Sequence, residues 1–105
     1  MYTSEHLYAI ALRRCNQIGD VSFKKLMKAF GSAENVWKEN KALIKSITGI
    51  NKNAVSEIGN AQHLYFAERE LEFCSKNEIK IYLRHLKELP FFLNDCIDAP
   101  AILYQ

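Results

Sequence analysis

Hydrophobic residues recur at intervals of three and four along most of the chain up to residue 76, a pattern typical of amphipathic helices. The first helix is predicted over residues 3–15. The second begins at a cap formed by Asp20 or Ser22 and ends at Gly31, since glycine readily adopts the left-handed conformation that terminates helices. In the second helix the residues predicted to face the core are Val21, Leu26, Ala29 and Phe30, with Phe23 and Met27 beside them.

Three further helices follow in the same pattern. Ser32 is expected to cap a short helix, and another short helix is predicted over about 40–46. Asn51 is expected to cap a long helix from about 52 to 76, in which Gly59 is explained by close packing against a neighbouring helix. The buried face of this helix is predicted to comprise Ala54, Ile58, Ala61 and Tyr65, continued by Leu64, Ala67, Leu71 and Cys74.

The character of the chain changes after Asn77. Residues 79–83 and 101–104 are short, β-branched and aromatic, which predicts two strands, with a turn or short helix from Leu89 through Leu93. A strand with no sheet to join, at the end of a chain, indicates a truncated protein whose missing part begins with a sheet. We therefore predict a helical domain over 1–76, and over 77–105 a linker with the first strands of a further domain.

Charge is distributed unevenly, although the net charge is only +2. Residues 1–38 carry six Lys and Arg against three acids, whereas residues 61–78 carry two against four. A basic front half could face a polyanion, but solvated helix faces explain the same pattern.

Catalytic and metal chemistry find little support in this sequence. The three cysteines, Cys15, Cys74 and Cys96, are far apart and are expected to be reduced, as in a cytoplasmic protein. No phosphate-loop or dinucleotide motif occurs, and we expect no enzyme activity, no cofactor, no metal and no membrane contact. Trp37 is expected to anchor the core rather than stack on bases, and His63 to be structural.

Two segments share one plan, an apolar residue beside a glycine with helices on both sides. They are Cys15–Val21 and Lys45–Asn51. This is the plan of a helix-hairpin-helix, in which glycine allows close approach and the next helix presents free backbone N–H groups to a phosphate. The residues predicted to contact nucleic acid are Gly49, Ile50, Lys52, Asn53, Gly19, Lys24 and Lys25.

A glycine between two helices is also an ordinary way to build a tight corner, so a purely structural role stays open for both hairpins. The first hairpin is the weaker candidate, because Asp20 places a carboxylate where a phosphate would lie. Contacts of this kind reach the backbone of DNA, so binding would depend on salt and not on sequence.

The run from Gln17 to Ile58 resembles the opening domain of the DprA/Smf DNA-processing proteins. The C-terminal part of the chain strengthens the resemblance. Three groups of residues there match the family in their order and spacing: Glu70-Leu71 with Phe73, then Pro90 with Leu93, and then Asp98, Pro100, Leu103 and Tyr104. One departure is Leu89, where that family usually has tyrosine.

The resemblance implies a mainly all-α, sterile-alpha-motif-like helical bundle followed by a short β extension that leads into an absent Rossmann-like domain. It also implies a bacterial cytoplasmic protein of natural transformation that binds single-stranded DNA, mainly through the missing domain, and helps to load the RecA recombinase. The full-length protein would be a homodimer, and the helical domain an accessory module that touches DNA or a regulatory protein. The alternative is a protein-interaction domain with no direct DNA contact.

Overall fold

The computed structural model describes residues 2–47, 49–89 and 100–105. Most of the turn predicted from Leu89 through Leu93 lies outside the described residues, and so does Cys96. The helices are α1 (Ser4–Arg14), α2 (Asp20–Phe30), α3 (Ala33–Lys38), α4 (Lys41–Lys45), α5 (Lys52–Val55) and α6 (Ala61–Lys76). The described residues also include a two-stranded sheet of β1 (Ile81–Leu83) and β2 (Ile102–Tyr104), with a 3-10 turn (Arg84–Leu86) after β1. The predicted fold class, mainly helical with a short C-terminal β extension, is confirmed.

Helix α1 lies at the centre of the helical part. Ala9, Ile10, Ala11 and Leu12 are four consecutive residues, and all are buried. Four consecutive positions point all round a helix, so α1 must be covered on every side. Helices α2, α3 and α6 and strand β1 provide that cover.

Most helix ends follow the local signals in the sequence. Ser32 Oγ accepts a hydrogen bond from the Asn35 N–H at 3.1 Å and caps α3. Asn51 caps α5 in the same way, and Gly31 ends α2 with a φ of 89°. The cap of α2 was predicted wrongly, since the N-cap residue is Gly19, and Asp20 is already the first residue of the helix.

The long helix predicted over 52–76 is wrong, because the structure divides it into α5 and α6. Gly59 has a φ of 93° and lies in the turn between them, with nothing near the position of a Cβ. Gly59 therefore allows a turn with left-handed backbone conformation and is not needed for close helix packing. Asn60 then starts α6, its side-chain oxygen accepting from the Gln62 N–H at 2.8 Å.

Several residues predicted to be buried are exposed. Val21 is 68% exposed and Tyr65 is 59% exposed, while Ala29 and Ala61 also face solvent. In α2 the buried side is set instead by Phe23, Leu26 and Met27. Helical periodicity predicts that a buried stripe exists, but the neighbouring elements decide which of two adjoining stripes is covered.

The expectation that the last strand has no sheet to join is also wrong. Strand β2 pairs antiparallel with β1, and Tyr82 lies opposite Leu103. Ile81 and Leu83 enter the same hydrophobic core as the helices, and the Tyr2 hydroxyl donates to the Ile79 carbonyl. The β extension therefore packs against the helical part.

A single carboxylate joins three parts of the chain. Glu5, in the first turn of α1, accepts hydrogen bonds from the Ala33 N–H at 2.6 Å and the Glu34 N–H at 3.1 Å. Its third partner is His85, which follows β1. Glu5 thus satisfies two N–H groups at the start of α3 that have no partner within the helix.

The two hairpin glycines have different conformations. Gly49 has a φ of 88°, which strains any other residue. Gly19 has an ordinary φ of −85° with open space around it, and in the first hairpin it is Gln17 that adopts the left-handed conformation, with a φ of 67°. The expectation that Gly19 is needed for a tight turn is wrong.

Replacing each of the two glycines by serine should affect stability differently. Gly49→Ser forces a side chain into a left-handed conformation and should lower the free energy of unfolding by about 1–2 kcal/mol. Gly19→Ser adds a favoured N-cap side chain in open space and should leave stability within about 0.5 kcal/mol of the parent, or raise it. Urea unfolding of both variants measures this, and equal destabilisation would contradict the assignment.

Glu5 should make stability depend on pH. Burial raises the pKa of Glu5, but the hydrogen bonds from His85, Ala33 and Glu34 outweigh it and hold that pKa below its ordinary value of 4.5. A carboxyl with a lowered pKa stabilises the fold above its unfolded pKa, and this contribution disappears as the pH falls through the folded value.

Glu5→Gln should therefore cost about 1.5–3 kcal/mol at pH 7, since it removes charged hydrogen bonds. The difference in free energy of unfolding between parent and variant should become smaller as the pH falls below about 4.5. Thermal unfolding of both proteins, monitored by circular dichroism between pH 7 and pH 3, measures this difference in stability. A difference that stays constant over that range would show that the Glu5 charge does not stabilise the fold.

Candidate nucleic-acid interface

The first hairpin is held in shape by Arg13. Its guanidinium donates to the Ile18 carbonyl at 2.8 Å and lies 3.4 Å from the Asp20 carboxylate. Ile18 is buried beneath the turn, so the hairpin is anchored from below by an apolar side chain and from the side by an arginine. Sequence reasoning missed Arg13. Its position at the end of α1, seven residues before Asp20, was the available signal.

The second hairpin joins α4 to α5 and is anchored by Ile50, which is 7% exposed. Asn51 Oδ1 accepts hydrogen bonds from the Asn53 N–H at 2.8 Å and the Ala54 N–H at 3.3 Å. These were two of the N–H groups expected to meet a phosphate, and they already have a partner. The prediction that free N–H groups of this helix form the binding site needs correction, since Asn51 caps them.

The two hairpins lie side by side, which no pattern along the chain predicts. The Asn51 side-chain amide donates to the Gln17 side-chain oxygen, which joins one turn directly to the other. Lys25, on α2, lies with its ammonium group against Gly49, where a Cβ would collide with it. The second hairpin therefore needs glycine for its backbone conformation, whereas the flexible Lys25 side chain could move away from a Cβ.

Positive charge is grouped around this junction. Lys25 and Lys52 are exposed, and Lys24 is half-buried on the same helix as Lys25. The carboxylate of Asp20, which weakens the first hairpin as an anion site, lies beside Arg13 and so faces a compensating charge. Of the seven residues predicted to contact nucleic acid, Lys25 and Gly49 touch one another, whereas Ile50 is buried in the core.

Lysine ammonium groups beside an exposed turn attract phosphate groups without selecting bases. The chemistry available here is therefore electrostatic binding of a polyanion, carried mainly by side chains.

The other residues singled out in the sequence have structural surroundings. Trp37 is half-buried against the core, with its ring 6.3 Å from that of Tyr8. His63 Nε2 lies 3.0 Å from the Glu57 carboxylate, and the other Glu57 oxygen accepts from the Asn16 N–H. This places the first hairpin against the start of α6.

The thiols in the described part of the chain are buried and poorly disposed to react. Burial raises the pKa of Cys15 to about 12, and it also raises the pKa of Cys74. Thiolate is the reactive form of cysteine, so neither group is a ready nucleophile at neutral pH. Within residues 2–47, 49–89 and 100–105, no group of three or more His, Cys, Asp or Glu side chains is placed to hold a metal ion. No helix in those ranges combines the length and apolar character needed to cross a membrane.

Comparison with known proteins gives one match. Residues 3–39 match the family described as the DprA-like N-terminal HHH domain. The matched segment begins at the residue before α1 and ends at the residue after α3, so it covers the first hairpin and stops short of the second. No curated protein and no solved structure matches the chain. Over residues 3–39 the match confirms the resemblance found in the sequence: this segment is similar to the N-terminal helix-hairpin-helix domain of DprA-like proteins.

Proposed function

We propose that this chain is a non-catalytic, accessory DNA-binding module of a DprA-like protein in the bacterial cytoplasm. Its ligand is the phosphate backbone of single-stranded DNA, and it binds through the surface where the two hairpins meet. In the whole protein it assists a following Rossmann-like domain that provides most of the DNA affinity, and the assembly helps to load RecA during DNA uptake and recombination.

The contact between Lys25 and Gly49 is the observation that best supports this proposal. It brings a cationic side chain from α2 onto the turn of the second hairpin, and Lys52 follows that turn by three residues. Each hairpin alone is a weak candidate for phosphate binding, but together they form one surface with two exposed ammonium groups. Exposed ammonium groups of this kind attract the phosphates of a single strand.

Replacing Lys25 and Lys52 together with alanine should weaken binding and reduce its salt dependence. Each lost phosphate contact should lower the slope of log affinity against log salt by about 0.7 for a single strand, or about 1.4 for the pair. Fluorescence anisotropy with a labelled oligonucleotide, titrated from low to moderate salt, measures both quantities.

The matched control is Lys76→Ala with Lys80→Ala, which removes the same charge from exposed positions outside the hairpins. If the control changes the slope as much as the hairpin pair, binding follows net charge and the proposed surface is wrong. If the parent chain binds no DNA even at low salt, the direct DNA role fails and the alternative, a domain that binds a regulatory protein, takes its place.

A further inference from the structure

Gln17, in the turn of the first hairpin, has a backbone conformation that is unfavourable for its residue type. Its φ of 67° lies in the left-handed region, which glycine adopts without strain and most other residues adopt at a cost in free energy. The residue is also exposed, so burial in the core does not explain the glutamine. A residue held in a strained conformation points to a role for its side chain.

The Gln17 side chain meets Asn51, which uses both ends of its own side-chain amide. The Asn51 oxygen accepts hydrogen bonds from the Asn53 and Ala54 N–H groups and so caps α5. Because the oxygen faces these donors, the amide nitrogen faces the other way, and it donates to the Gln17 side-chain oxygen. Serine also caps helices well, but it lacks a second donor with this reach. The bridge between the hairpins therefore needs asparagine as well as glutamine.

Few other contacts fix the position of the second hairpin relative to the first. Helices α4 and α5, which flank the second hairpin, make their most extensive contact with each other. Beside the bridge, the Asn16 N–H donates to the Glu57 carboxylate at 3.2 Å. Gln17 and Asn51 are both exposed, and a neutral hydrogen bond in water contributes little to the stability of a fold. The main effect of the bridge is therefore on the relative position of the two turns.

We infer that Gln17 and Asn51 are positioning residues of the hairpin surface. Their hydrogen bond holds the two turns together, so that Lys25 and Lys52 are presented to the same single strand. The inference rests on the proposed function, and it gives the pair no contact with phosphate. A surface that is already ordered binds more tightly, because the ligand does not have to order it on binding.

Two substitutions remove the bridge in different ways. Gln17→Gly removes the acceptor and also relieves the left-handed strain, so the midpoint of urea unfolding should stay the same or rise. Asn51→Ser keeps a side chain that caps α5 but removes the donor. Each variant should bind single-stranded DNA about threefold to tenfold more weakly, the change expected from the loss of one neutral hydrogen bond. A residue that served only the stability of the fold would not combine unchanged stability with weaker binding.

Fluorescence anisotropy with a labelled oligothymidine, measured over a series of salt concentrations, gives the affinities. Both variants keep every charge, so the slope of log affinity against log salt should match that of the parent while the affinity falls. Replacing Lys25 and Lys52 should instead reduce the slope. The double variant of Gln17→Gly with Asn51→Ser should lose no more affinity than either single variant, since both break the same bond.

Asn60→Ser is the matched control, because Asn60 caps α6 in the way that Asn51 caps α5 but lies outside both hairpins. It should bind DNA like the parent. If the Gln17 and Asn51 variants also bind like the parent while the variant lacking both lysines does not, the hairpin surface stands and the positioning role is overturned. Additive losses in the double variant, or a lowered urea midpoint for Gln17→Gly, would overturn it too. A parent that binds no DNA at low salt removes the proposed function and this inference together.

Discussion

The burial of α1 on all sides is the constraint on which the rest of the structure depends. Its central residues, from Ala9 to Leu12, are covered by three helices and a strand. Ala9 and Ala11 are small, so they leave room for those neighbours to pack against α1. Glu5 adds a polar constraint to this packing, since it joins α1 to α3 and to the segment after β1.

The candidate DNA surface is a consequence of that packing. Neither hairpin is a strong phosphate site alone, because Asp20 lies in the first and Asn51 already caps the N–H groups of the second. Packing α2 across α1 brings Lys25 to Gly49, and the amide of Asn51 reaches Gln17. The charge and the exposed turn come from segments more than twenty residues apart in the chain. The family match ends before the second hairpin, so this combination rests on the structure of this chain.

The sequence predicts well those features that residues close together in the chain determine. Ser32, Asn51 and Gly31 act within a few residues of themselves, and the structure confirms all three helix ends. The single long helix was wrong because hydrophobic periodicity continues through the turn at Gly59, although a glycine followed by a capping asparagine was the local signal for a break.

Features that depend on distant residues could not be predicted in this way. Val21 and Tyr65 have helical spacing suitable for burial, but no element of the described part of the chain covers them. The bond between Glu5 and His85 spans 80 residues, and no pattern along the chain indicates it. The predicted site residues were individually reasonable, yet the contact between Lys25 and Gly49, which gives them a common surface, follows only from the tertiary fold.

Backbone amide chemical shifts, followed by NMR while single-stranded DNA is added at low salt, test the central claim most directly. We expect the largest changes to occur together at Lys24 and Lys25 and from Gly49 to Asn53, with α6 little affected. Changes confined to α6 or to the region of Trp37, or none at saturating DNA, would contradict it.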